Sequence, residues 1–279
     1  MSNVCIQAAG RASHNDFASR VLHDLAIGTA IDLPTVIVVA HPDDETLGMG
    51  GRLPLLQRLT IVQLTDGAPR ESGEAYRSGC SNWHTYSMER EREASRALTV
   101  LALNCRRICY NAPDQQSVLR LGELARSVKR DLHGARLVFT HPYEGGHPDH
   151  DTAALIVQMA CARISADGED PPVRFEFASY HHRNGRMVTG QFWPDQNCPE
   201  ISIELDQRAH ALKRGALAEY QTQSGVIQWF SPGIERYRAA PQYDFSRPAP
   251  PGLAQYDFFG WPMTAARWRE TCASALPLL

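Results

Sequence analysis

The feature that most constrains this chain is an uncharged run, Thr35 to Ala40, that stops at His41 and Pro42. Six residues rich in Val and Ile read as a strand covered on both faces, as in a parallel sheet with helices on either side. Pro42 has no backbone donor and cannot continue a central strand, so the chain must turn at the carboxyl edge of the sheet, where open α/β sheets bind ligands. Asp43, Asp44 and Glu45 follow at the start of a predicted helix. Acids there complement the positive end of the helix dipole, so one reading is a helix cap. The other is a cation site, because three consecutive carboxylates beside a histidine repel one another unless something positive sits among them.

Strands and helices alternate onward. The spacing predicts a leading helix over Asp16 to Ile31, a short helix over Leu53 to Leu59 and a strand over Thr60 to Leu64 that ends at Asp66, in either a simple turn or a second site. A loop rich in Gly, Ser and charge, Ala68 to Ser87, reads as the substrate side. A helix from Ser87, capped by that residue, to Leu103, a strand Arg106 to Tyr110, a helix Gln115 to Leu132 and a strand Leu137 to Thr140 follow. Further on come a strand over Arg174 to His181, with His181, His182 and Arg183 either lining the pocket or, as the simpler expectation, in solvent, a strand Ile201 to Leu205 and a helix over Asp206 to Gln221 capped by Asp206. The expected fold is therefore α/β with a mostly parallel sheet.

The strand Leu137 to Thr140 runs into HPYEGGHPDH, His141 to His150. His147 and His150 lie three apart, a spacing that turns both imidazoles toward one centre where a loop enters a helix. A lone histidine is usually packed or solvated, but three histidines and two acids within ten residues, after a strand parallel to the first, favour a metal centre. With His41 and Asp44 they assemble a His/Asp/His set. Such donors suit Zn²⁺, with Fe²⁺, Co²⁺ and Mn²⁺ also compatible.

A formal net charge of −3 and no Lys/Arg run longer than two give no electrostatic footprint for nucleic acid or an anionic membrane. A small-molecule partner is expected. Arg11, Asp16, Arg20 and Asp24 interrupt any apolar core of a signal peptide, and no run reaches the roughly 20 apolar residues of a membrane span, so the cytoplasm is the expected compartment. Seven cysteines without a CxxC pair suit reduced thiols. From Ser224 the chain turns rich in aromatics and prolines, predicting one domain over residues 1–223 with an appendage, 224–279, packed on it.

AHPDDE at Ala40 to Glu45, TDG at Thr65 to Gly67 and HPDH at His147 to His150, in this order and spacing, resemble the zinc-dependent de-N-acetylase family that includes the N-acetylglucosaminyl-phosphatidylinositol deacetylases and the enzymes of mycothiol and bacillithiol synthesis. The resemblance runs from about Thr35 to Gln223. It implies a Rossmann-like three-layer sandwich and hydrolysis of an N-acetyl group on a glucosamine-type conjugate. It also implies that His41, Asp44 and His150 ligate the metal, that Asp43 is the general base, and that His147 faces the substrate carbonyl with Asp149 behind it. Lys213 or Gln221 would lie near the sugar, and Asp66, Arg70, Tyr143 and Glu144 are the expected substrate contacts. The family's tyrosine two residues before HPDH is absent: Gly145 stands there, and the nearest tyrosine is Tyr143. The turn Tyr143 to Gly146 either offers flexible backbone beside the metal or lets the chain double back.

The chemistry is coherent without the family. An acetamide is a poor electrophile, and a divalent ion both polarises its carbonyl and lowers the pKa of water from 15.7 toward about 7. Asp43 would accept the water proton, and either Asp43 or His147 would protonate the leaving amine. The competing classes are an amidase acting on a non-sugar amide, a nucleotide-dependent oxidoreductase suggested by Gly48, Gly50 and Gly51, and a non-catalytic sugar-binding protein. A pyrophosphate beside Asp43, Asp44 and Glu45 is electrostatically unfavourable, and binding alone has no use for a base.

Overall fold

The computed structural model describes residues 16–71, 73–250 and 252–275. A helix over residues 16–27 (α1) leads into β1 (Ile31–Val39), α2 (Asp44–Met49), β2 (Leu56–Thr65), α3 (Glu74–Arg77) and α4 (Trp83–Val100). Then follow β3 (Arg106–Ala112), α5 (Leu121–Asp131), β4 (Leu137–Thr140), α6 (Pro148–Ala166), β5 (Val173–Phe177), β6 (Tyr180–Arg183) and β7 (Arg186–Thr189). The chain closes with β8 (Glu200–Glu204), α7 (Gln207–Leu217), α8 (Ser224–Ile227), β9 (Ile234–Ala239) and α9 (Ala265–Ala275). Among the described residues no helix is long and apolar enough to cross a membrane.

Seven strands form one sheet in the order β3-β2-β1-β4-β5-β9-β8. The first five are parallel, and β9 runs antiparallel to both of its neighbours. Alternation along β1 shows why the sheet is the middle of three layers. Val36 and Val38 enter one core with α5, α6 and α9, while Ile37 and Val39 enter the opposite core with α1, α4 and α7. This is the doubly wound arrangement, and the chain reverses direction across the sheet between β1 and β4. A crevice opens at such a switch point. His41 follows one of these strands and His141 the other.

Several boundaries move for local reasons. β1 begins at Ile31, so the leading helix stops at residue 27, and Leu53–Leu55 is a single 3₁₀ turn before β2. Asn82 rather than Ser87 caps α4, through a capping box with Thr85. The expected helix from Gln115 starts as a 3₁₀ turn, Ser117–Arg120. The strand expected to reach His181 breaks after Phe177 and restarts as β6. His181 and His182 are buried rather than solvated: His181 lies against Glu144 and Trp193, and His182 stacks on Phe258 at 4.2 Å. The segment from Ser224 does more than wrap the core, because β9 sits inside the sheet between β5 and β8.

The glycine turn before α6 is set by a close approach. Gly145 has φ +66°, and a Cβ on Gly146 would lie 2.0 Å from the carbonyl oxygen of Tyr180. The turn lets the chain double back against β6. Gly146→Ala is therefore expected to cost about 1–3 kcal/mol, which lowers the melting temperature by roughly 3–10 °C. An unchanged thermal melt would show that the two segments part without penalty.

Candidate metal centre and catalytic cleft

The turn after β1 folds onto its own helix. The His41 amide donates to Asp44 Oδ2 at 2.7 Å, which swings that carboxylate inward. Three imidazoles surround it: His41 Nδ1, His141 Nε2 and His150 Nε2 each lie 3.3 Å from an Asp44 oxygen. Burial alone would raise the Asp44 pKa, yet the charges of His150 and His41 and the hydrogen bond from His141 hold it well below the usual carboxylate range. His141 stacks on His150 at 3.9 Å, and burial together with the His150 charge pushes its pKa down to about 4. It is a neutral support behind Asp44.

The donor set fits a divalent ion. Ligand atoms of His41, His147 and His150 lie within 4.8 Å of one another, as do those of Asp44, His141 and His150. Both groups are buried and offer only nitrogen and oxygen. The second nitrogen of His41, Nε2, faces Asp114 Oδ1 at 3.2 Å and Asp149 Oδ2 at 3.4 Å. Paired carboxylates there fix the tautomer and leave Nδ1 toward Asp44, the arrangement that orients metal-binding imidazoles.

Asp43 points the other way. Its Oδ2 accepts from Arg90 Nη2 at 2.9 Å. Burial pushes its pKa up to about 7, against the pull of Arg90 and with the help of Asp44. A carboxyl poised near neutrality beside a cation site has the protonation chemistry of a general base.

His147 and Asp149 do not pair as expected. His147 caps α6, and its Nδ1 accepts the Asp149 amide at 3.1 Å, so Nε2 carries the ring proton. Burial and the nearby His41 hold its pKa well below the usual value, so it is neutral. The Asp149 carboxylate turns away and accepts from the amides of Gln115 and Ser117 and from the Ser117 hydroxyl. Its Oδ2 is 3.8 Å from His147 Nδ1, farther than from His41. Capping by the ring uses up the nitrogen that Asp149 would have held. Asp149 lies against His41 instead, 3.4 Å from its Nε2.

These groups line a cleft of about 710 Å³ that includes His41, Asp43, Asp44, Arg90, His147 and His150. The four expected substrate contacts are not among its walls. Asp66 closes a turn through the Ala68 amide and pairs with Arg70 at 2.6 Å. Tyr143 is buried between Phe245 and Trp268 and donates to the Arg247 carbonyl. Glu144 is buried and accepts from Arg238 and from the Trp193 amide. Lys213 bridges the Leu47 carbonyl and Glu235 inside the core, whereas Gln221 does reach the cleft.

Asp114 and Tyr180 are cleft residues that sequence reasoning passed over, and Trp261 reaches the cleft from the aromatic segment after Ser224. Asp114 had a signal, since an acid just past the carboxyl end of β3 repeats the logic applied to Asp66. Tyr180, with its ring 5.3 Å from His150, brings a phenol where Tyr143 does not. The glycines in and just after α2 serve packing rather than phosphate binding. A Cβ on Gly48 would strike Phe177 at 2.2 Å and one on Gly51 would strike Leu205 at 2.4 Å.

Comparison with known proteins agrees with this geometry. Residues 36–161 match the model of the GlcNAc-PI de-N-acetylase family, PIG-L. A Bacillus anthracis protein named "Probable N-acetyl-alpha-D-glucosaminyl L-malate deacetylase 2" is 30% identical over 155 residues, spanning 52% of this chain and 67% of that protein. The chain belongs to the GlcNAc-PI de-N-acetylase family. Solved structures share its fold at low identity. The A40926 pseudoaglycone deacetylase superposes with a TM-score of 0.55 at 17% identity, covering 77% of this chain and 99% of that one. The 4-carboxy-2-hydroxymuconate hydratase of Pseudomonas putida does so at 0.54 and 17%, covering 76% and 98%. One fold thus carries two reactions, and the reaction of this family member must be argued from its site.

Proposed function

We propose that this chain is a zinc-dependent hydrolase that removes the N-acetyl group of an N-acetylglucosamine-type conjugate, releasing acetate and a free amine. The observation that carries the reading is Asp43, a buried carboxyl poised near neutrality beside a His/Asp/His donor set in a de-N-acetylase family member. His41, Asp44 and His150 would hold the ion. When bound, it supplies Lewis acidity, polarising the acetamide carbonyl and making water a nucleophile near neutral pH.

The chain's own groups do the rest. Asp43 takes a proton from the attacking water as the new C–O bond forms. His147, neutral with its proton on Nε2, donates to the oxygen that gains charge. As the C–N bond breaks, Asp43 returns its proton to the leaving amine, because His147 has its one proton engaged at the oxyanion. Arg90 keeps the base ionised while it waits. The test is metal analysis of the purified protein alongside free-amine and acetate release from N-acetylglucosamine and a panel of its glycosides. Stoichiometric amine and acetate from protein carrying zinc is the expected result. A protein that binds zinc and releases no amine from any of them would overturn the sugar assignment and favour a non-sugar amide.

A further inference from the structure

We infer that Ser179 is a positioning residue of the metal centre, its hydroxyl holding the His150 ring in the tautomer and orientation that present Nε2 to the ion; the inference rests on the reading of His150 as a ligand given above. His150 is buried in the first turn of α6, with Nε2 3.3 Å from an Asp44 oxygen. An imidazole nitrogen that binds a divalent ion carries no proton, so the ring proton then sits on Nδ1, and a buried N–H needs an acceptor. Ser179 Oγ lies 3.2 Å from Nδ1. Among the described residues no other group hydrogen-bonds to that nitrogen. A hydroxyl both accepts and donates, so this contact survives either placement of the ring proton.

The hydroxyl is delivered from a fixed backbone. Ser179 is buried in the break between β5 and β6. On one side the Ala178 amide donates to the Arg236 carbonyl of β9 at 3.0 Å, and on the other the Gly190 amide donates to the carbonyl of Ser179 itself at 2.6 Å. Two rings also touch His150: His141 stacks on it at 3.9 Å, and Tyr180 meets it edge-on at 5.3 Å. These contacts fix the plane of the imidazole, but ring packing is indifferent to which nitrogen holds the proton. The bond to Nδ1 is not. His41 has Asp114 and Asp149 at its outer nitrogen, whereas His150 has this neutral hydroxyl, which adds no further negative charge to a centre that already holds Asp43, Asp44, Asp114 and Asp149. Groups that hold the outer nitrogen of a metal-binding histidine set its orientation and contribute to affinity. Ser179 lies outside residues 36–161 that match the family, so the break after β5 completes a centre whose three ligands all come from within that match.

The test titrates the zinc-loaded full chain with a chromophoric chelator to obtain the zinc dissociation constant, and records thermal melts of the same proteins in excess chelator. Ser179→Ala is expected to weaken zinc binding by about 10–100-fold. Ser179→Thr, which restores the hydroxyl, is expected to recover most of that affinity. A serine with a merely structural role would lower the melting temperature of the metal-free protein and leave the dissociation constant in place. Ser179→Ala protein that holds zinc as tightly as the parent, or Ser179→Thr protein that holds it as weakly as Ser179→Ala, overturns the inference while leaving the His150 ligand and the deacetylase reading intact. A parent protein that binds no zinc overturns both.

Discussion

Asp43→Asn is expected to keep its divalent ion and to lose about 10²–10⁴-fold in kcat, the usual range for a positioned general base. His150→Ala is expected to lose the ion together with the activity. The contrast follows from where the two carboxylates of the motif point. Asp44 sits among three imidazoles, so its partner groups define the cation site, whereas Asp43 is tied to Arg90 and contributes no atom to the donor groups. An asparagine at position 43 still accepts from Arg90 and fills the same volume, so the fold and the donor set survive. It has no lone pair basic enough to take a proton from water. Elemental analysis of the two variants beside their amine-release rates separates the roles. An Asp43→Asn protein with full turnover would remove the base assignment, and a His150→Ala protein with full metal occupancy would remove that ligand.

The parts of the site that could be read from the chain are those where a strand delivers its residues directly. Leu137–Thr140 is uncharged, short and flanked by Gly134 and His141, and its limits agree with the pattern. His41, Asp44 and His150 come together because β1 and β4 are neighbours at the switch point; alternation predicts the shared carboxyl edge of the sheet, and the strand order brings the two ends together. What escaped is set by tertiary contact or by local hydrogen bonding. Asn82 caps α4 from within the polar stretch read as a loop, one turn ahead of the expected cap at Ser87. The family resemblance places Asp149 behind His147, but the cap at the start of α6 spends the ring nitrogen on a backbone amide. Tyr180 reaches the cleft through the break between β5 and β6, which no periodicity announces. Aromatic density after Ser224 signalled burial but gave no hint of an inner strand, since β9, IERYRA, carries three charged residues, Glu235, Arg236 and Arg238. Those charges are satisfied inside: Glu235 by Lys213, and Arg238 by Glu144 and Glu176.

Arg90→Met carries the largest expected effect on stability. Arg90 is buried on α4, donates to the Gly67 carbonyl and is the cation nearest Asp43. Removing one partner of a buried ion pair costs about 3–5 kcal/mol, because the remaining charge loses its compensation. At the roughly 2–4 °C per kcal/mol of a chain this size, the melting temperature falls by about 6–20 °C. Asp43 can escape part of that penalty by holding a proton. Its pKa, already raised by burial, then climbs further, since Arg90 is what pulls it down. The active base is the ionised form, so the acid limb of the pH–rate profile moves to higher pH, and turnover at neutral pH drops while recovering partly under alkaline conditions. Arg90→Lys keeps the charge but not the fork, and is expected to fall between the two in both melting temperature and limb position. The check is a thermal melt and a pH–rate profile on all three proteins. An Arg90→Met protein with the parent's melting temperature and profile would show that Asp43 is held ionised by something other than this arginine.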